Sequence, residues 1–259
     1  MTILDELAEY ARYRTSKAKE KVSLSALKEM ALSLPKGSYE FEKALKKEGD
    51  MAFICECKKA SPSKGMIAED FPYLQIAKDY EMAGADCISV LTEPRWFLGS
   101  DEYLREIAEN VSIPCIRKDF TVDEYMIYEA KVLGAKAVLL ICSILSGDEI
   151  KRYIEICDNL GMSALVEAHD KEEIGTAIEC GARIIGVNNR NLKDFSVNTE
   201  NSRKLRSLIP DDVIYVSESG IRDAKDIKAL REAGVNAVLI GEALMKAADK
   251  RQMLSRLKG

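Results

Sequence analysis

Histidine occurs once in the chain, at His169, and with cysteines in no regular frame a zinc cluster is not expected. Acid–base chemistry near neutral pH must therefore rest mainly on other side chains, lysine and glutamate above all. Cysteine occurs seven times, an odd number with no regular frame, and Cys55-Glu56-Cys57 is CxC rather than CxxC. Buried free thiols in a reducing compartment are the expected reading. No GxGxxG and no Walker loop is present, so neither a nucleotide cofactor nor a metal is expected. No long apolar run exists; stretches such as AVLLIC at 137–142 are too short to span a bilayer. The first residues, TILDELAEYAR, are acidic and amphipathic, unlike a signal peptide, and a cytosolic address is the default expectation. Net charge is −5 and the basic residues are dispersed. KAKEK at 17–21 and KALKK at 43–47 fit solvated helix faces, so no nucleic-acid partner is expected.

What remains is a chain of 259 residues, 47% apolar, long enough for one large α/β barrel or two smaller domains. Roughly the first 48 residues are helical in pattern. Ile3, Leu4, Leu7, Ala8 and Ala11 recur at helical spacing, and Ser23 and Ser25 are possible caps before LSALKEMALSL. Pro35 and Gly37 break the pattern before SYEFEKALKKEG. From residue 51, short β-rich runs alternate with amphipathic stretches. The runs fall at 51–57, 86–91, 113–118, 136–141, 163–168, 183–188, 213–218 and 236–241. Gly84, Gly134, Gly181 and Gly234 recur roughly every fifty residues, each where a helix ends and a strand begins. Eight βα units with so even an echo predict a closed (β/α)8 barrel, with a doubly wound open sheet as the alternative. The expected organisation is one domain over 1–259, with a helical extension (1–48) packed on a barrel (49–259).

Barrel enzymes of this kind carry their chemistry at the C-terminal ends of the strands. Polar residues collect there: Glu56 and Lys58; Lys118 and Asp119; Glu167; Asn188, Asn189 and Arg190; Ser217, Glu218, Ser219 and Gly220; Gly241 and Glu242. Strand alternation puts Glu56 and Lys58 on one face and Cys55 and Cys57 on the other. Inward charges in an edgeless barrel are costly unless paired, so Glu56, Lys58, Lys118 and Glu167 are read as functional. Their pKa values are expected to be tuned towards neutrality. Asp119 alternates away from Lys118 and is read as structural, and His169 as a loop or helix-start residue. SESG at 217–220 and IGEAL at 240–244 put glycines in the loops after strands 7 and 8, where backbone N–H groups suit a phosphate. The residues alone thus point to a phosphorylated small-molecule substrate handled by lysine acids and glutamate bases.

ECKKASPSKG at 56–65, WFLGS at 96–100, IRKDF at 116–120, LVEAHD at 165–170, GVNNRNL at 186–192, SESGI at 217–221 and LIGEALM at 239–245 resemble, in this order, the indole-3-glycerol-phosphate synthase family. The resemblance covers essentially the whole chain. It implies closure of an indole ring in tryptophan biosynthesis, with loss of CO2 and water, from 1-(2-carboxyphenylamino)-1-deoxyribulose 5-phosphate. It implies Lys118 as a general acid at the carbonyl oxygen and Glu167 as an acid–base group or charge stabiliser. Glu56, Lys58, Asn188 and Ser219 complete the implied catalytic set, and Lys58 is a second candidate acid. Ser61, Gly220, Gly241 and Glu242 match substrate or phosphate contacts. Phe97, Phe120, Leu139 and Leu192 match the aromatic-ring pocket, and Arg190 a residue that helps hold the site. No cofactor is implied, and the chain is expected to act as a monomer or weak homo-oligomer. Asn191 and Ala60 depart from the pattern, where relatives carry an acid and a further lysine. Rival readings are a barrel isomerase of phosphoribosyl substrates, a Schiff-base aldolase using Lys118, and a catalytically silent phosphate-binding barrel.

Overall fold

The computed structural model describes residues 2–47, 49–190 and 196–259. Eight parallel strands follow the expected runs to within two residues: β1 (Ala52–Cys57), β2 (Cys87–Leu91), β3 (Cys115–Lys118), β4 (Ala137–Ile141), β5 (Ser163–Ala168), β6 (Ile184–Asn188), β7 (Ile214–Glu218) and β8 (Ala237–Ile240). β1 pairs with β2 on one side and β8 on the other, so the sheet closes and has no edge. The barrel, not the open sheet, is the fold. A short antiparallel hairpin, Ala60–Ser61 with Gly65–Met66, stands above β1.

Period-2 alternation divides the apolar residues into two cores. Ile54, Ile116, Leu139, Leu165, Ile184, Val216 and Leu239 fill the barrel. Cys55, Cys57, Ile88, Val138, Val166, Val187 and Val238 face the surrounding helices. Those helices are α4 (Tyr73–Met82), α5 (Asp101–Asn110), α6 (Glu124–Val132), α7 (Gly147–Leu160), α8 (Lys171–Glu179), α9 (Glu200–Leu205) and α10 (Ala224–Glu232). Two more, α11 (Glu242–Lys246) and α12 (Lys250–Lys258), follow β8. The four echoing glycines sit just past α4, α6, α8 and α10 with φ between 75° and 90°. This left-handed turn carries the chain from each helix into the next strand, and a Cβ would strain it.

The N-terminal extension closes both ends of the barrel. α1 (Ile3–Lys21) starts at a capping box between Thr2 and Asp5 and runs on through KAKEK. α2 (Leu24–Ser33) is capped by Ser23, and α3 (Glu40–Leu45) follows. Phe41 and Leu45 of α3 are buried at the strand starts, where the Glu42 N–H donates to Ser163 Oγ at 3.3 Å. At the opposite rim Leu4, Leu7, Ala8 and Ala11 of α1 join the barrel-filling core. Each buried leucine there is worth about 2 kcal/mol. Arg14 pins the same helix to Asp119 at 2.7 Å, and Lys19 pairs with Asp123 at 2.7 Å.

Candidate active site

The last inward layer of the barrel is charged. Glu56 on β1, Lys118 on β3, Glu167 on β5, Asn188 on β6 and Glu218 on β7 all face the axis at the C-terminal end, immediately above the apolar layers. Lys118 Nζ lies 3.6 Å from Glu218 Oε2 and 3.7 Å from Glu167 Oε2. Asn188 Nδ2 donates to Glu167 Oε1 at 3.1 Å, and Asn188 Oδ1 accepts the Arg190 N–H at 3.0 Å. Glu56 Oε2 holds Lys58 Nζ at 2.6 Å, as expected for two residues on one face of a strand.

The electrostatics differ from the sequence-based expectation. Burial alone would lower the pKa of Lys118, but the carboxylates of Glu218, Glu167 and Glu56 outweigh it and hold the ammonium above its ordinary value. Lys118 is therefore tuned away from neutrality and stays protonated. Burial would raise Glu56, yet Lys58 and Lys118 keep it ionised, below the usual carboxylate value. The group that does move to the neutral range is Glu218. Burial and the neighbouring Glu167 charge push it up to about 8, and its Oε1 has no hydrogen-bond partner among the described residues. Gly186 on β6 makes room for it, because a Cβ there would collide with the Glu218 carboxyl.

Asp119 turns away from Lys118, as expected of a structural residue. It accepts from Arg14 at 2.7 Å and from Thr92 at 2.6 Å, and the buried Arg117 reaches from beside it to Asp101 at 2.8 Å and Glu129 at 2.7 Å.

These groups open into a cleft of about 600 Å³, within the range of small-molecule sites. One side is apolar: Phe97, Phe120, Leu139 and Ile141, with Ile3, Leu4 and Leu7 from α1. The Phe97 and Phe120 rings lie 6.0 Å apart, centroid to centroid. Phe97 is held by the buried Glu93 carboxylate, which accepts the backbone N–H groups of Arg95, Trp96 and Phe97 at 2.7–2.9 Å. The other side is polar and cationic. Ser61, Lys64, Arg190, Ser219, Gly220, Arg222, Gly241 and Lys246 line it. Ser219 and Gly220 are both left-handed, with φ of 66° and 82°. That conformation costs a serine roughly 1–3 kcal/mol, strain of a kind that clusters at functional sites.

Glu56, Lys58, Ser61, Phe97, Lys118, Phe120, Leu139, Glu167, Asn188, Arg190, Ser219, Gly220, Gly241 and Glu242 all line this one cleft. Leu192, and with it Asn191, lies outside the described residues. Gly241 has a second constraint that sequence did not reveal: a Cβ there would run into Glu56 and Lys58, not only into a ligand. Glu242 is itself ion-paired, with Lys246 at 2.7 Å, Lys64 at 3.6 Å and Arg190 at 3.7 Å. Lys64, Arg222, Lys246 and the α1 side chains were missed, because cations on loops and short helices carry no periodic signal. Lys64 is the cation that the hairpin brings near the position where Ala60 departs from the pattern. His169 does precede α8, whose cap is Asp170, but its ring is turned to Glu167 rather than to solvent.

Among the described residues no group of three or more His, Cys, Asp or Glu is set to hold a metal ion, and no helix is long and apolar enough to cross a membrane. The family model for "Indole-3-glycerol phosphate synthase" matches residues 4–257. A protein of that name from Ruminiclostridium cellulolyticum is 57% identical over 258 residues, covering 99% of both chains. One from Lachnoclostridium phytofermentans is 50% identical, covering 99% of this chain and 98% of its own. Among solved structures, thiamine phosphate pyrophosphorylase from Pyrococcus furiosus superposes with a TM-score of 0.62 at 17% identity, over 84% of this chain and 95% of that one. So low an identity speaks for the barrel alone. A match across nearly the whole chain and relatives of this identity settle the lineage: the chain belongs to the indole-3-glycerol phosphate synthase family.

Proposed function

We propose that this chain closes the indole ring of 1-(2-carboxyphenylamino)-1-deoxyribulose 5-phosphate, releasing CO2 and water to give indole-3-glycerol phosphate in tryptophan biosynthesis. The observation that carries this reading is the Lys118 ammonium, 3.6 Å from Glu218 and 3.7 Å from Glu167, at the junction of an apolar wall and a cationic one. The apolar wall of Phe97, Phe120 and Leu139 suits the carboxyphenyl ring. The cationic side, with Gly220, Gly241, Ser61, Lys64 and Arg190, suits the phosphate. Binding both ends folds the flexible substrate so that ring carbon and carbonyl carbon meet.

In the first step Lys118 donates a proton to the carbonyl oxygen while the ring carbon forms the new C–C bond. The ring is left electron-poor, and the Glu167 carboxylate, oriented by Asn188, stabilises that charge. Loss of CO2 returns the electron pair to the ring. Lys58, held by Glu56, then protonates the leaving hydroxyl, and a carboxylate takes the departing proton to complete the double bond. Glu218 and Ser219 line the same part of the cleft. A Schiff-base role for Lys118 is disfavoured, since that chemistry needs the free amine and the surrounding carboxylates hold the ammonium.

On this reading residues 1–259 work as one domain, because α1 supplies part of the ring-binding wall. The seven free thiols suit a reducing, cytosolic compartment. The enzyme is a monomer or weak homo-oligomer, with its site built from one chain. The test is a fluorescence assay for the indole product with the synthetic substrate. Wild type should turn over, and Lys118→Ala should lose about 10²–10⁴-fold in kcat. No product from folded wild type would refute the proposal.

A further inference from the structure

The one histidine of the chain has no part in the steps above, yet it is built into the acid–base layer. The His169 side chain is 19% exposed and bridges two carboxylates. Nδ1 lies 3.2 Å from Glu173 Oε2, and Nε2 lies 3.5 Å from Glu167 Oε1. Glu173 is itself fixed. Its Oε2 accepts the His169 backbone N–H at 2.7 Å, and its Oε1 accepts the Ser143 hydroxyl at 2.5 Å. On the other side of the residue, the Asn201 amide donates to the His169 carbonyl at 3.2 Å. Ring and backbone are thus both held, and the ring is not free to swing into the cleft.

The proton positions follow from the partners. Burial would raise Glu173, but hydrogen bonds from His169 and Ser143 keep its pKa below the ordinary carboxylate value, so Glu173 is an acceptor. Nδ1 must then carry the hydrogen. In the neutral ring Nε2 is left as a bare lone pair, and it is buried without a hydrogen-bond partner among the described residues. The group it faces is Glu167.

We infer that His169 is a positioning residue and proton store for Glu167, on the side of that carboxyl away from the substrate. This rests on the reading of Glu167 as an acid–base group. The transfer is simple: the Glu167 carboxyl O–H gives its proton to Nε2, leaving a carboxylate beside an imidazolium, and takes it back in the reverse step. The Nδ1 hydrogen stays on the ring throughout, donated to Glu173. Glu167 can thereby stand as a carboxylate when positive charge develops on the substrate ring and regain a proton without solvent entering the cleft. The other carboxylates facing the imidazole are Glu173 from α8 and Glu218 from β7, while the Lys118 ammonium lies beyond Glu167 and opposes them. The Cys142 thiol near Glu173 is pushed up to about 12 by burial and stays neutral. Burial alone would lower the imidazole's pKa, but the Glu173 hydrogen bond and the Glu167, Glu173 and Glu218 carboxylates hold it above its ordinary value. The imidazole therefore keeps its second proton to higher pH than a free ring does.

Because the chain has only one histidine, its imidazole can be followed by 15N NMR without assignment. The neutral ring should be the Nδ1–H tautomer, and the titration midpoint should lie above that of a free imidazole. The midpoint should fall by about half a unit or more in Glu167→Gln and in Glu173→Gln. In turnover, wild-type kcat should decline on the alkaline side with the midpoint that NMR gives. His169→Gln offers Glu167 an amide donor but no titratable group, so it should lose that limb and run below wild type across the profile, with a smaller loss than His169→Ala. His169→Ala should lower kcat about tenfold while KM stays within about twofold. A purely structural histidine would not move the limb. An imidazole midpoint unmoved by Glu167→Gln, or an alkaline limb retained in His169→Gln, overturns the proposal. Glu167→Gln with wild-type kcat overturns the reading of Glu167 itself. An inactive Glu167→Gln beside an unaltered His169→Gln profile overturns the proton store alone.

Discussion

Gly241 lies directly against Glu56: the space a Cβ would fill at 241 is occupied by the Glu56 carboxylate, with Lys58 Nζ next to it. A side chain there would have to move the pair before it touched a bound phosphate. Gly241→Val should therefore lower kcat as well as raise KM, and the pure KM effect expected for a phosphate-loop glycine should not appear. Steady-state kinetics separate the two. A substrate analogue without the phosphate, assayed on both enzymes, shows how much of the KM change belongs to the anion. An unchanged kcat would mean that the Glu56–Lys58 pair does no chemistry.

Glu218 supplies a pH prediction. Its folded pKa, about 8, lies above the ordinary carboxyl value of the unfolded chain. A raised pKa means that the folded state holds the proton more tightly. The contribution to stability is therefore full below the unfolded value and is lost as pH rises through the folded one. Glu218→Gln has no proton to lose. Its melting temperature should gain on wild type as pH climbs from about 4, with the gain largest above about 8. Differential scanning calorimetry across that range reads this directly. A constant difference would show that Glu218 ionises normally.

The Arg14–Asp119 pair carries the docking of α1. The Asp119 side chain has no exposure, and Arg14 is its nearest cation at 2.7 Å. Arg14→Ala should cost about 3 kcal/mol, because it strips a buried carboxylate of a direct partner. Denaturant unfolding measures this. KM should rise too, since Leu4 and Leu7 of the same helix line the cleft. A neutral effect on both would mean that α1 docks through its leucines alone.

Cys55 and Cys57 face the helices, in the core between barrel and outer ring. Burial raises both thiols well above their ordinary value, which leaves them protonated and unreactive. The double change to Ala should keep kcat within about threefold while stability falls, and Ellman's reagent should reach neither thiol before unfolding. A collapse of kcat with the fold preserved would reverse the facing of β1.

Turnover should also survive exhaustive dialysis against a chelator, because the proposed chemistry needs only ammonium and carboxylate groups. Activity that disappears and returns with a divalent ion would require a different mechanism.

The period of the strands and the spacing of the helix-ending glycines are local properties, so the barrel could be read from the chain directly. The same alternation set Glu56 and Lys58 apart from Cys55 and Cys57, and Lys118 apart from Asp119, because neighbouring strand residues must face opposite ways. Sequence thereby determined the fold and which side chains reach the rim. It could not determine their charge states. Glu218 was visible at the end of β7, but its shift depends on Glu167 and Lys118, which closure of the barrel brings from other strands. The same holds for Gly241 against Glu56, for α1 across the mouth of the cleft, and for the His169 ring against Glu167 and Glu173. Packing limits and pKa values depend on through-space distances between residues far apart in the chain, and only the closed tertiary structure sets those distances.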